Sequence, residues 1–207
     1  MGHHAQGIHP WDLVPELSLD DLKAQFEVIK AKSMLAVGEC GLDRRRKNIR
    51  SMEEQLVVFR WHIDLAQRLK IPLIVHCVHA ESELLSILKI SQFKETLLLH
   101  DFVGNSKSLE QFKNYNVYYS FGARLFLENK RVLEFFKQVP INKLFLETDD
   151  QTRYGIEEIY LKACNLLGIN ETRLKTSLEE NLKSFFQYPD DISAADVIKN
   201  FTTSSRI

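Results

Sequence analysis

Cysteine is scarce in this chain: Cys40, Cys77 and Cys164 lie far apart among 207 residues. That spacing offers neither a zinc-knuckle pair nor a disulfide framework, and a reduced, cytoplasmic protein is the expectation. No apolar run approaches the ~18 residues a membrane-spanning helix needs. The first residues lack the basic and apolar regions of a secretion signal, so no membrane partner is expected. Neither sign of charge dominates, with 27 Lys and Arg against 28 Asp and Glu for a formal net charge of −1. A broad basic surface is thereby excluded as the main means of holding nucleic acid. A nuclease that draws positive charge from bound cations is not excluded. Internal repeats and low-complexity linkers are absent, and residues 1–207 read as a single domain. Within it, 1–6 read as a tag remnant or shortened start, and 189–207 as a short helix near Ala194 to Lys199 with a fraying tail.

Short apolar runs alternate with longer helix-period segments. Strands are expected at Met34–Gly38, Ile71–Val75, Thr96–Leu99, Val117–Phe121 and Lys143–Leu146, each composed like a strand buried on both faces. Between them, Ser51 and Glu54 have capping-box spacing ahead of a stripe at Met52, Leu56, Phe59, Ile63, Ala66 and Leu69. Further helices are expected around Leu84–Leu88, Leu109–Phe112, Val132–Phe136, Ile156–Leu167 and Leu174–Phe185, with Gly168 as a stop. Such alternation implies a parallel sheet covered by helices. No Gly-rich loop follows a strand, which weakens a nucleotide-binding sheet.

Four expected strands run into a metal-ligand type: Glu39, His76, His100 and, through Glu147-Thr-Asp, Asp149. A parallel barrel opens all its strand C-termini onto one face, and active sites are built there. Each residue alone has a plainer reading, a satisfied structural histidine or a helix-capping acid. Their recurrence at one register of the strand–helix unit favours a joint site. Imidazoles mixed with carboxylates suit one or two divalent cations, with Mg, Mn and Zn not distinguished. Asp149 and Glu39 are the catalytic candidates, and all four are the metal candidates. His79, in the loop after His76, and Arg153 are candidates for touching substrate. His9 is a candidate for supporting a ligand from behind. His62 is read as exterior, and Cys40 and Cys77 as core. Arg44, Arg45 and Arg46 read equally as a solvated helix approach or as phosphate contacts.

Gly7-Ile-His-Pro-Trp11, Gly38-Glu-Cys-Gly-Leu-Asp43, Pro72-Leu-Ile-Val-His76 and Leu146-Glu-Thr-Asp149 together resemble the TatD-like hydrolases. Phe121-Gly122 and Glu180–Phe186 fit as well, so the likeness runs from about Gly7 to Phe186. The resemblance implies a TIM-like (β/α) barrel of the metal-dependent hydrolase superfamily, up to two divalent cations, and a phosphodiester substrate, commonly DNA. It implies that Glu39 is shared by both metals, that His76 and His100 bind the second, and that Asp149 binds the first and holds or deprotonates the attacking water. Family members also carry a His-x-His pair on a first strand. Here His3 and His4 are adjacent, so both cannot point inward from one strand. The six residues before Gly7 read as too few for a strand and its connection, so the first strand is expected to be missing or altered. After Asp149 the chain reads Asp150-Gln-Thr-Arg153 where many members have a Pro-containing segment. The expected activity is a metal-dependent phosphodiesterase, a deoxyribonuclease acting on DNA or a small phosphodiester. The alternatives are a C–N or ester hydrolase, or a shortened relative that acts as a binding protein.

Overall fold

The computed structural model describes residues 4–29, 34–149 and 153–187. The expected helix near Ala194 lies outside them. Six strands form one sheet: β1 (His4–Gln6), β2 (Met34–Asp43), β3 (Leu73–Val78), β4 (Leu97–His100), β5 (Val117–Phe121) and β6 (Leu144–Leu146). Each pairs in parallel with the next in sequence, so the spatial order equals the chain order. A doubly wound sheet reverses its order at a switch point. Sequential order is that of a (β/α) barrel, and the fold is α/β of this TIM-like kind. The described strands do not close it: β1 and β6 are the sheet's edges.

The stretch before Gly7 does hold a strand, contrary to the residue count, although the described strands leave the barrel open as an altered first strand would. Three residues suffice for β1, which pairs with β2 with an irregular register between His4 and Ala5. Pairing to a long neighbour supplies the order that so short a segment lacks alone.

Among the described residues seven α-helices connect and cover the strands: α1 (Leu19–Glu27), α2 (Met52–Leu69), α3 (Glu81–Ile90), α4 (Ser106–Phe112), α5 (Lys130–Gln138), α6 (Ile156–Leu167) and α7 (Glu171–Phe186). The Ser51–Glu54 capping box forms as expected, and Gly168 ends α6 in the left-handed region. Helix α1 was not anticipated, although Ser18 and Asp21 make a capping box of their own. Its few apolar positions, Leu22 and Phe26 among the buried ones, leave a weak stripe.

The core lies between sheet and helices. Phe59, Ile63, Leu84, Phe112, Phe135 and Phe136 are almost fully buried. Each such side chain contributes roughly 1.5–3 kcal/mol by leaving water. Tyr119 meets Phe135 edge-on at 5.5 Å, while its neighbour Tyr118 meets Phe185 of α7 at 5.4 Å. Successive strand residues face opposite sides, so α5 and α7 pack on opposite faces of β5. Strands β3 and β4 correct a second expectation, burial on both faces. Val75 and Leu99 are buried, but Ile74, His76, Leu98 and His100 are only partly so. Those half-covered residues share the face that a closed barrel would turn inward.

His62, read as exterior, is instead fully buried in α2. Its Nδ1 lies 2.8 Å from the Val58 carbonyl, and its Nε2 accepts the Ile8 N–H at 2.8 Å. Helix α2 thereby fastens the segment after β1. Burial depresses its pKa to about 4, whereas the unfolded chain takes up the same proton near pH 6.5. The stability contributed by the neutral ring is present in full above pH 6.5. It falls as pH drops toward 4, by up to about 1.4 kcal/mol per unit. Urea midpoints measured across this window should fall more steeply for the wild type than for His62→Gln; parallel slopes would contradict the assignment.

Candidate metal centre

The centre draws Glu39 from within β2, His76 from β3, His100 from the last position of β4 and Asp149 from the segment after β6. Pairing of β3 with β4 places His76 directly beside His100. Strand β2 reaches them through an irregularity between Val37 and Cys40, which lies around Glu39. Bulges of this kind re-aim a side chain next to functional sites. The two glycines flanking Glu39 allow the close approach. Gly38 and Gly41 have φ of 138° and 143°, a region L side chains rarely adopt. A Cβ on Gly41 would stand 2.0 Å from the His76 carbonyl oxygen.

Glu39 is the hub. Its Oε1 lies 3.2 Å from His9 Nε2, 3.4 Å from His76 Nδ1 and 3.8 Å from His100 Nε2. Burial opposes its charge, but His76, His9 and His100 outweigh that and hold the carboxyl well below the usual range. His100 Nε2 also lies 3.7 Å from Asp149 Oδ1. Burial opposes charge on His100 too, yet the carboxylates of Asp149 and Glu147 raise its pKa well above the ordinary value. The field at this rim therefore favours positive charge. Asp149 is the most open member, its side chain 46% exposed.

Two carboxylates not singled out from the sequence orient the rings. The Nε2–H of His76 donates to Asp43 Oδ2 at 3.0 Å, and the Nδ1–H of His100 donates to Glu147 Oε2 at 2.7 Å. Each ring then turns its other nitrogen toward Glu39. Carboxylate-backed histidines are the usual way of fixing the tautomer that ligates a metal. Asp43 is itself held rigidly. Its Oδ1 accepts the Arg45 and Arg46 backbone N–H groups, its Oδ2 accepts Trp11 Nε1–H at 2.9 Å, and buried Gln55 bonds its backbone on both sides. Burial works against the Asp43 charge, and these donors outweigh it and lower its pKa. Both acids were legible as motif members; their support role depended on a partner 33 or 47 residues away.

His9, Glu39 and His76 form the tightest group, with one ligand atom of each within 4.8 Å of the others. His9 differs from His76 in what its second nitrogen does. Its Nδ1 accepts the Trp11 backbone N–H at 3.2 Å, so the neutral ring carries its proton on Nε2, facing Glu39. A ring so arranged donates to Glu39 and offers no lone pair to a cation. Glu39, His76, His100 and Asp149 are the residues that could hold a divalent metal. The donor set fits: two imidazoles whose inward nitrogens face carboxylates, the two carboxylates themselves, and a buried Glu147 Oε1 without a hydrogen-bond partner. Of the remaining candidates, His79 follows β3 with its Nε2 3.5 Å from Arg45, and Arg153 lies over the Tyr154 ring at 5.2 Å. The three arginines after Asp43 diverge. Arg44 pairs with Glu83, Arg45 faces His79, and Arg46 covers the Trp11 ring at 4.3 Å. Cys40 and Cys77 are buried, as expected.

A sequential parallel sheet that gathers imidazoles and carboxylates on one rim has the architecture of a (β/α) metal-site protein. The profile of the TatD related DNase family matches residues 2–187, and the chain belongs to that family. It is 32% identical over 145 residues to an uncharacterized metal-dependent hydrolase of Buchnera aphidicola, covering 69% of this chain and 54% of that protein. It is 29% identical over 151 residues to a protein of Escherichia coli named 3'-5' ssDNA/RNA exonuclease TatD, covering 69% and 55%. The chain thus spans about half the length of the curated relatives it matches. In fold it is similar to YJJV, a TatD homolog from Escherichia coli, with a TM-score of 0.75 at 24% identity over 90% of this chain and 77% of that one. Among the described residues no helix is long and apolar enough to cross a membrane.

Two outcomes follow from the geometry. Gly41→Ala should displace the His76 backbone and weaken both folding and divalent-cation binding, read by thermal unfolding with and without manganese. Asp43→Asn and Glu147→Gln should each lower cation affinity about 10–100-fold, measured by titration calorimetry. Exposed Glu110→Gln serves as a control, and unchanged affinity in both variants would remove the orienting role.

Proposed function

We propose that this chain hydrolyses phosphodiester bonds as a divalent-metal-dependent deoxyribonuclease. The observation that carries the reading is the pair His76 and His100, each fixed by a carboxylate on one nitrogen and turned toward Glu39 with the other. Relatives named as nucleases, among them the Escherichia coli 3'-5' ssDNA/RNA exonuclease TatD, support the substrate class. One or two cations fit the ligand types, with Mg, Mn and Zn all compatible.

Glu39, His76 and His100 would hold one cation, and Asp149 would contribute to a second with Glu39 shared. A bound divalent cation supplies charge that polarises a phosphoryl oxygen and acidifies water. This chain's own residues do the rest. Asp149, at the open side of the rim, orients the attacking water and accepts its proton. Glu39 stays ionised because three histidines surround it. His9, donating from Nε2, fixes the Glu39 carboxylate without ligating. Asp43 and Glu147 accept the opposite N–H of each ring and so aim the inward nitrogens at the place a cation would take.

The test is hydrolysis of single-stranded DNA and of bis(p-nitrophenyl) phosphate by the full chain with manganese, magnesium or zinc, beside amide and lactone substrates. We expect phosphodiester cleavage alone, with kcat falling about 10²–10⁴-fold in Asp149→Ala. Preference for an amide or lactone would assign the chain to C–N or ester hydrolysis. Absence of turnover with every cation, or turnover indifferent to Asp149→Ala, would overturn the proposal.

A further inference from the structure

Beside the metal centre, on the same rim, lies a cavity of about 250 Å³ that the centre itself does not use. Arg45, His79, Arg124 and Arg131 line it, together with Glu81 and Asp101. The four basic side chains come from four separate places, the segment after β2, the loop after β3, the turn after β5 and the start of α5, while Glu81 opens α3 and Asp101 follows β4. Three guanidiniums face two carboxylates there, in a chain whose overall formal charge is −1. We infer that this cavity is an anion subsite that takes a phosphate group flanking the scissile diester.

Arg124 and Arg131 are anchored through their guanidinium groups, and Arg45 through its backbone. Arg124 pairs with Asp101, the residue directly after His100. The Arg131 Nε–H and one terminal N–H donate to the Gly104 and Val103 carbonyls at 3.3 Å. Arg45 hydrogen-bonds through its backbone N–H to Asp43 Oδ1 at 2.8 Å, and its guanidinium lies 3.5 Å from His79 Nε2. A guanidinium has five N–H donors, so donors remain on Arg131 after both carbonyl bonds. Planar forks anchored this way suit the bidentate geometry of phosphate oxygens.

Backbone placement ties the cavity to the metal centre. His79 and Asp101 have positive φ of 52° and 39°, as does Asp149 with 48°. Non-glycine residues in this region are uncommon and cluster at functional sites. Here they redirect the chain as it leaves β3, β4 and β6, turning His79 and Asp101 into the cavity beside the two histidines. At about 250 Å³ the cavity has room for a phosphate group together with part of the nucleotide that carries it. The substrate class that results is an oligonucleotide with at least two consecutive phosphates, one over the metal centre and one over the arginines. A simple diester would fill only the first position.

The inference rests on the phosphodiester reading, and the experiment separates the two. Equilibrium binding is measured, without added metal, for dithymidine monophosphate and for the same dinucleotide carrying one further phosphate at its 5′ or its 3′ end. Hydrolysis of the internal diester is followed in parallel with manganese. We expect one terminally phosphorylated form to bind roughly tenfold or more tightly than the plain dinucleotide, as charge-assisted bonds to arginine would give. Arg131→Gln and Arg124→Gln should each reduce that advantage to under threefold, while Lys175→Gln, an exposed residue on α7, retains it. Circular dichroism and thermal unfolding establish that the variants fold. Should Arg124→Gln unfold through loss of its Asp101 partner, Arg131→Gln decides alone. A binding advantage without hydrolysis would uphold the subsite and overturn the nuclease reading. Hydrolysis with no advantage from either terminal phosphate, or an advantage that survives Arg131→Gln, would overturn the subsite alone.

Discussion

Gly41 stands across from His76 so closely that a Cβ would come within 2.0 Å of the His76 carbonyl oxygen. The whole rim is built around that contact. It lets β2 and β3 remain paired through the irregularity that carries Glu39, and it sets Asp43, two residues further on, within hydrogen-bond reach of the His76 ring. His76 in turn is paired in register with His100. A bulkier residue at position 41 would force β2 away and uncouple Glu39 and Asp43 from the imidazoles together. The glycines of Gly38-Glu-Cys-Gly-Leu-Asp43 are thus spacing elements for the acids they flank.

The charge arrangement follows from this packing. Carboxylates surround two imidazoles, and burial alone would make such a group of acids costly. Asp43 avoids the cost by accepting from Trp11, His76 and two backbone N–H groups at once, being only 4% exposed. Glu39 relies on three histidines. Glu147 is less complete, with one oxygen on His100 and the other buried without a partner. A rim of this kind has negative charge left over, and a divalent cation is the group that would neutralise it. The arginine-lined cavity next to it has the opposite excess. Side by side they make a polar track along the strand ends, although the chain as a whole is nearly neutral.

Much of the sheet was legible because buried parallel strands leave a simple record. Short apolar runs such as Val117–Phe121 cannot serve as helices, and β5 has those bounds. The helices with strong stripes, α2, α6 and α7, formed where the spacing placed them. Weak stripes were missed, as in α1, where a capping box was the better signal. Strand β1 was missed because three residues hold no period; its partner β2 defines it. His62 was misread because a histidine beside Trp61 on a helix gives no sign of which face the helix buries. The metal-ligand types were legible by their recurrence after apolar runs, although β2 continues past Glu39 to Asp43, and the family likeness by its motifs. Asp43 and Glu147 were visible as letters of those motifs but not as supports, since each acts through a histidine on another strand.

What the sequence determined by itself was local and periodic: which segments are strands, which are helices, and which chemical groups stand at the strand ends. Period and residue type are properties of neighbouring positions, so they need no fold to be read. The tertiary structure decided the rest. It selected the nitrogen of each histidine that faces Glu39, set His9 as a donor, buried His62, and brought Arg45, Arg124 and Arg131 around one cavity. It also left the inward face of β3 and β4 half-covered, which composition had suggested would be buried. These outcomes depend on register and on residues tens of positions apart. Hydrogen bonds act over about 3 Å, and only the folded chain sets which groups come within that reach.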